Sequence, residues 1–195
     1  NDIAFAEELG YRIKLLAIAR QTDYGVEQRV HPCMVPADTP IAHVGGVFNA
    51  VVVEGDHVDR AVFEGLGAGA GPTASAVAAD LVDVARGLQA LTFAVPASNL
   101  VTAVHAAMER HVGPYYIRLQ VVDRPGVMAD IAAILRDERV SIESLLQHGR
   151  SPDEAVPVVL TVHETGERSM NAALAKIDRL DTVLEPPHVI RIEPL

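Results

Sequence analysis

The sequence has no tryptophan, one cysteine and only two lysines, and its aromatic residues make up 4% of 195 positions. A lone cysteine, Cys33, cannot close an internal disulfide, which fits a reducing compartment and a cytoplasmic location. No metal site is expected either: His31 stands near Cys33 without further ligands at chelating spacing, and His105 and His111 lie six apart, off one helical face. Basic charge is scarce. The 16 Lys and Arg against 26 Asp and Glu leave a net charge of −10, spread as −6 over residues 1–113 and −4 over 114–195. Such a surface suits neither nucleic acid nor an anionic membrane. No apolar run approaches the roughly 20 residues of a membrane span. The start, Asn1-Asp2-Ile3, has neither Met nor a basic leader, so the chain reads as a piece of a longer one. What is present is ordinary for a folded protein, with 49% apolar and 22% charged residues. The length allows one large domain or two small ones.

Leu9, Ile13, Leu16 and Ala17 share one helical stripe, which predicts an amphipathic helix from Phe5 to Arg20. Glu27 to Met34 and Val47 to Glu54 are β-rich and bounded by proline and glycine, and predict strands. Glycines 65, 67, 69 and 71 then open an alanine-rich helix over 74–91, with Val77, Leu81, Val84 and Leu88 at helical spacing. The next stretch is weakly patterned, although Leu100 to His111 suits a helix with Val101, Val104 and Met108 inward. From Tyr115 the pattern sharpens. Ile117, Leu119 and Val121 alternate as in a strand with one buried face, and Val127, Ile131, Ile134 and Leu135 mark a helix. Val140 to His148 is a second strand, followed by a turn at Ser151-Pro152-Asp153. Val156, Val158, Leu160 and Val162 alternate in a third strand, where Pro157 places the beginning at an edge or outside the ladder. Met170, Ala173, Leu174 and Ile177 mark another helix, and Val189 to Glu193 a last strand. The resulting order, βαββαβ, puts both helices on one sheet face and leaves the other bare, so pairing of chains is expected.

Two places carry candidate chemistry. In the glycine loop, backbone N–H groups can approach a phosphate or nicotinamide nucleotide unhindered, with the positive N-terminus of the following helix behind them. The spacing is not a full dinucleotide fingerprint, and tight strand-to-helix packing explains the glycines equally well. In the turn Asp123-Arg124-Pro125-Gly126, a helix N-terminus suits the carboxylate of a small zwitterion and Asp123 its ammonium group. An ordinary capped turn, with Asp123 as cap and Gly126 for backbone freedom, is the plainer alternative. Lys14 and Lys176 read as solvated or snorkelling side chains, Glu54-Gly55-Asp56 as a hairpin turn, and no serine or cysteine has a triad around it.

At these residues the chain resembles the C-terminal half of a bacterial homoserine dehydrogenase. The resemblance rests on Leu9-Gly10-Tyr11-Arg12-Ile13-Lys14-Leu15-Leu16, Val30-His31-Pro32 with Val35-Pro36, Phe48-Asn49-Ala50-Val51, and Gly67-Ala68-Gly69 with Pro72-Thr73-Ala74-Ser75-Ala76-Val77. Residues from Tyr115 onward resemble an ACT domain, a ferredoxin-like βαββαβ module that senses amino acids. The implied fold class is α+β: part of the catalytic and dimerisation sheet with its helices over 1–90, a connector over 91–113, and the ACT domain over 114–195.

The resemblance implies interconversion of L-aspartate 4-semialdehyde and L-homoserine with NAD or NADP, on the route to threonine, methionine and isoleucine. It implies that Gly69 contacts the nicotinamide nucleotide, with Gly67, Ala68 and Thr73 beside it, and that no catalytic residue lies in this chain. The family's acid–base lysine and its aspartate partner precede the matching stretch, and Lys14 corresponds instead to a lysine in a later GYRIKLL-type helix. An effector, threonine, is implied near Asp123, Gly126, Val127 and Met128, together with a homo-oligomer formed through the catalytic-domain sheet and the ACT domain. The competing reading is a stand-alone amino-acid-binding regulatory protein. An aspartate kinase regulatory region is disfavoured, because residues 1–90 do not repeat the pattern of 115–195.

Overall fold

The computed structural model describes residues 1–88, 93–148 and 155–195. The chain divides into two compact units, one made of Asn1–Ala37 with Val104–Leu195 and the other of Asp38–Ala103.

The first unit opens with a short helix, α1 (Asp2–Glu8), followed by β1 (Tyr11–Thr22) and β2 (Gly25–Pro36). The helix expected over Phe5–Arg20 is therefore corrected: it stops before Gly10, whose φ of +81° ends the helix at little steric cost. Beyond it Tyr11, Ile13 and Ile18 favour extended backbone. A twelve-pair antiparallel ladder, from Tyr11↔Pro36 to Thr22↔Gly25, supplies hydrogen bonds that a local helical period cannot match. Lys14 accordingly lies on a strand, opposite Cys33.

The C-terminal part contains β5 (Val112–Val122), α4 (Val127–Asp137), β6 (Ile142–Gln147), β7 (Ala155–Gly166), α5 (Glu167–Ile177) and β8 (His188–Ile192), in the βαββαβ order read from sequence. The strands join the first hairpin in a six-stranded sheet of order β1-β2-β8-β5-β7-β6. Within it β2 and β8 run parallel, and the other neighbours antiparallel. The β8-β5-β7-β6 portion is the ferredoxin-like arrangement. On one face Tyr115, Ile117, Leu119, Val121, Val158 and Leu160 pack against Val127, Ile131 and Leu135 of α4 and Met170, Ala173 and Ile177 of α5. Each fully buried aliphatic chain contributes roughly 1.5–3 kcal/mol. Pro157 pairs with Gln120 on the β5 side, whereas the β6 ladder ends at Val158 among the described residues, so the proline lies outside that ladder. The turn expected at 151–153 lies outside the described residues.

The other face is not bare as expected. Tyr116, Val159, Ile190, Ile192 and Met34 form a second cluster closed by Ala6 and Phe5 of α1 and by Leu9, which caps it. Polar bonds pin that helix in place: Tyr116 Oη donates to Asp2 at 2.9 Å, Arg118 Nε donates to Asp2 at 2.6 Å, and His148 Nε2 lies 2.7 Å from Glu8. Periodicity in the final eighty residues could not reveal a cover that comes from the first nine.

The second unit holds α2 (Pro40–His43), the antiparallel hairpin β3 (Phe48–Gly55) and β4 (Asp59–Leu66), and α3 (Ala70–Ala85). Glu54-Gly55-Asp56 enters the hairpin turn as expected, and Arg60 bonds Glu54 across it at 2.8 Å. The strand β4 extends into the approach to the glycine loop, where sequence patterning marked none. Helix α3 buries no residue: Leu81 is 65% exposed and Val84 78%. The helix expected over 74–91 is corrected at both ends: it starts at Ala70 and stops at Ala85, where Arg86 caps it and Gly87 takes φ +67°, and only positions 89–91 of the expected range lie outside the described residues.

The helix expected over 100–111 does not form. Apart from a 3-10 turn at Met108–Arg110 and a single bridge from His105 to Val26, the segment has no regular structure, and Val101 and Val104 are exposed. In the first unit its backbone is claimed by β2, since Val26 N–H donates to Val104 O at 2.7 Å and Ala106 N–H to Val26 O at 3.0 Å. Among the described residues no helix is long and apolar enough to cross a membrane.

Candidate functional site

The glycine loop follows β4 directly. Gly67 N–H donates to Val47 O at 2.8 Å, and a Cβ on Gly67 would meet the end of the exposed Asn49 side chain, which would have to turn aside. Gly69 serves a different purpose. It caps α3 at φ +130°, a backbone state that L side chains rarely adopt, and no side chain caps the helix there. The first bond of the helix runs from Thr73 N–H to Gly69 O at 3.1 Å. The N–H groups of Ala70 and Gly71 precede that bond, and they with the exposed Ala68 and Thr73 form a surface suited to an anion. Gly67 thus lies against the Asn49 side chain, and Gly69 stands at an uncapped helix start. The loop fits a nucleotide's phosphate in that respect.

The second candidate sits where β5 passes into α4. Gly126, at φ +98°, is the N-cap, without a side-chain capping bond. The capped-turn reading with Asp123 as cap is therefore corrected, because Asp123 stands three residues before the cap, half-buried. Arg124 N–H folds back to Val122 O at 2.9 Å, and Asp130 N–H closes the first helical bond to Gly126 O at 3.0 Å. Val127 is buried in the core and Met128 packs partly against it. Of the four expected effector residues, Gly126 is exposed, Asp123 and Met128 are half-buried, and Val127 serves packing.

Sequence reasoning missed a third constellation, a polar seam on the α5-covered face of the first unit. Lys14, Cys33, Arg191 and Tyr115 form one row across β1, β2, β8 and β5 by ladder register. Tyr115 Oη donates to Glu167 at 2.8 Å, and Arg191 Nε donates to the same carboxylate at 3.0 Å. Burial alone would raise Glu167, but those two bonds hold it below the usual carboxylate range. Burial and the Glu167 bond push the Tyr115 hydroxyl up. Next in the seam, Arg29 donates to Glu193 at 2.6 Å and pairs with Glu27, all three being buried. His111 Nδ1 lies 3.2 Å from Glu27. Burial, then the Arg29 charge, lowers His111 to about 4, so it is neutral at pH 7 and donates its Nδ1–H to the carboxylate. At the hairpin end Glu27 and His111 line a polar hollow of about 340 Å³, with Arg20 and Arg110 also in its wall. The hint in the sequence was the polar run Glu27, Arg29, His31, Cys33 at period two, which places all four on one strand face. The other members come from up to 166 residues away. Lys176, by contrast, is exposed and pairs with Glu138, as a solvated lysine should.

The homoserine dehydrogenase family model matches residues 1–82, and the ACT domain model matches residues 115–182. The homoserine dehydrogenase of Neisseria gonorrhoeae is 43% identical over all of this chain and 46% of its own length, and that of Pseudomonas aeruginosa is 42% identical over the same shares. Among solved structures, a homoserine dehydrogenase from Thiobacillus denitrificans superposes with a TM-score of 0.87 at 45% identity, over 99% of this chain and 45% of that one. The chain spans a little under half the length of these relatives. It belongs to the homoserine dehydrogenase family, corresponding to the C-terminal half of its members with an ACT domain included.

Proposed function

We propose that this chain is the C-terminal part of an NAD- or NADP-dependent enzyme that interconverts L-aspartate 4-semialdehyde and L-homoserine, in the cytoplasmic synthesis of threonine, methionine and isoleucine. Residues 1–90 belong to its catalytic and dimerisation part, 91–113 connect, and 114–195 form the regulatory domain. The observation that carries this reading is the 43% identity over the whole chain, which includes both matched segments rather than the ACT domain alone. A stand-alone regulatory protein would leave the match over residues 1–82 without a purpose.

The nicotinamide nucleotide, when bound, supplies or accepts the hydride. Gly69 leaves room for it at the start of α3, with Gly67, Ala68 and Thr73 around it. The acid–base groups belong to the stretch that precedes the match in the family, so this segment alone is expected to turn over no substrate. Threonine would act as effector at Asp123, Gly126, Val127 and Met128, in an oligomer formed through the catalytic-domain sheet and the ACT domain. Coupling of about 1–3 kcal/mol is typical of such regulation.

The test is NAD(P)-dependent oxidation of homoserine by the whole enzyme carrying this segment, alongside its Gly69→Val variant. The expected outcome is activity in the parent and a cofactor KM raised about tenfold or more in the variant. Absence of homoserine oxidation would overturn the reading. Calorimetry of threonine against the 195-residue chain and Gly126→Val, with light scattering of both, checks the regulatory part. No heat and no change in assembly would remove the effector assignment while leaving the enzymatic one in place.

A further inference from the structure

The polar seam brings together three donor groups that neither the dehydrogenase reaction nor the effector site uses. His31 and Cys33 lie two residues apart on one face of β2, with Cys33 Sγ 3.2 Å from His31 Nδ1. Glu193 follows β8 and is carried to the same place by the bond from its N–H to Met34 O at 2.8 Å. One ligating atom from each residue lies within 4.8 Å of the other two. The third donor, missing from the sequence reading of His31 and Cys33, thus arrives from 160 positions away. Cys33 is fully buried and Glu193 nearly so. The His31 ring turns its Nδ1 to Cys33 Sγ, while its Nε2 is buried without a hydrogen-bond partner.

An imidazole nitrogen, a thiolate and a carboxylate converging in a largely buried site form the donor set of a tetrahedral zinc-type ion with one open position. We propose that His31, Cys33 and Glu193 bind a divalent cation of the zinc class, with water as fourth ligand. Arg29 holds one oxygen of Glu193 in place, and ligation falls to the other. This is the outer-shell support that metal-binding carboxylates use. The charges facing the site are mixed: Arg29 on β2, Arg191 on β8 and Lys14 across the β1 ladder, with Glu27 and Glu167 pairing the two arginines. The incoming cation displaces the thiol proton, which passes to solvent, and the resulting thiolate balances one of its two charges. The proposal does not rest on the dehydrogenase reading.

The test uses cobalt(II), a coloured substitute for zinc, titrated into the 195-residue chain. Because Cys33 is its only cysteine, a near-ultraviolet thiolate-to-cobalt charge-transfer band reports this site alone. The band is expected to saturate at one cobalt per chain, to be bleached by added zinc and to be absent in Cys33→Ser. Affinity should fall about tenfold or more in His31→Gln and in Glu193→Gln. If no band forms, the proposal fails. It also fails if the band survives both His31→Gln and Glu193→Gln unchanged, since that is thiol binding alone. His31 is half-exposed, so His31→Gln is decisive even if Glu193→Gln, which strips Arg29 of a partner, does not fold.

Discussion

The two compact units carry similar apolar patterns and put them to different use. In the first, each face of the sheet meets a helix layer, and Ile117, Leu119, Leu160 and Ile131 are wholly buried. In the second, Val77, Leu81 and Val84 fall at helical spacing on α3, yet each is more than half exposed. Hydrophobic spacing therefore states which residues can be buried together, not that this stretch of chain buries them. The first unit buries its own apolar residues, whereas α3 buries none within this 195-residue chain.

Four experiments sharpen or break that contrast. Leu160→Ala should cost about 3–4 kcal/mol, as for other buried leucines, read from urea midpoints reported by the β5 and β7 amides. A loss below about 1 kcal/mol would mean that the core is loosely packed. The next largest effect is acid sensitivity of the first unit. His111 ionises near 4 when folded, against about 6.5 when unfolded. The unfolded chain therefore binds the proton first, and stability that is complete above pH 6.5 is lost as pH falls towards 4, by about 2–3 kcal/mol. Glu167 and Asp2, held low by Arg191 and Arg118 despite burial, extend that loss through the carboxylate range. Urea midpoints at pH 7.5 and 4.5 check it, and the upper part of the slope should vanish in His111→Gln.

Third, Asp2→Asn weakens the bonds from Tyr116 and Arg118 and should cost about 1–2 kcal/mol, seen as faster amide exchange in α1 with little change in α4 and α5. Equal loosening of all three helices would show that α1 is not a separate cover. Smallest, Leu81→Ala in α3 should stay within about 0.5 kcal/mol. A larger loss would mean that α3 is buried in solution and would erase the difference between the units.

Legibility followed the range of the interactions. The alternation of Ile117, Leu119 and Val121 and the stripe of Val127, Ile131 and Leu135 each report local geometry against a single core, and those elements stand where the pattern puts them. The Phe5–Arg20 stretch misled because Leu9, Ile13, Leu16 and Ala17 satisfy a helical period by coincidence, while the deciding interaction is a hairpin ladder reaching Pro36. Leu100 to His111 failed likewise, its backbone being claimed by Val26. At the candidate site, Gly69 was visible as a glycine before a helix, and its positive φ agrees with that position. That Gly67 lies beside the Asn49 side chain, and that Asp123 is not the cap, needed coordinates.

The amino-acid sequence on its own determined the βαββαβ order, the two helix stripes and the family, since each is written in contiguous residues whose side chains repeat with the backbone. Only the tertiary structure decided that α1 closes the second sheet face, and that Glu193 joins His31 and Cys33 beside Arg29. These are pairings between chain ends, chosen by the free energy of packing the whole unit. The period-two polar run of β2 shows one side of such a pairing, but nothing in it names the partner segment.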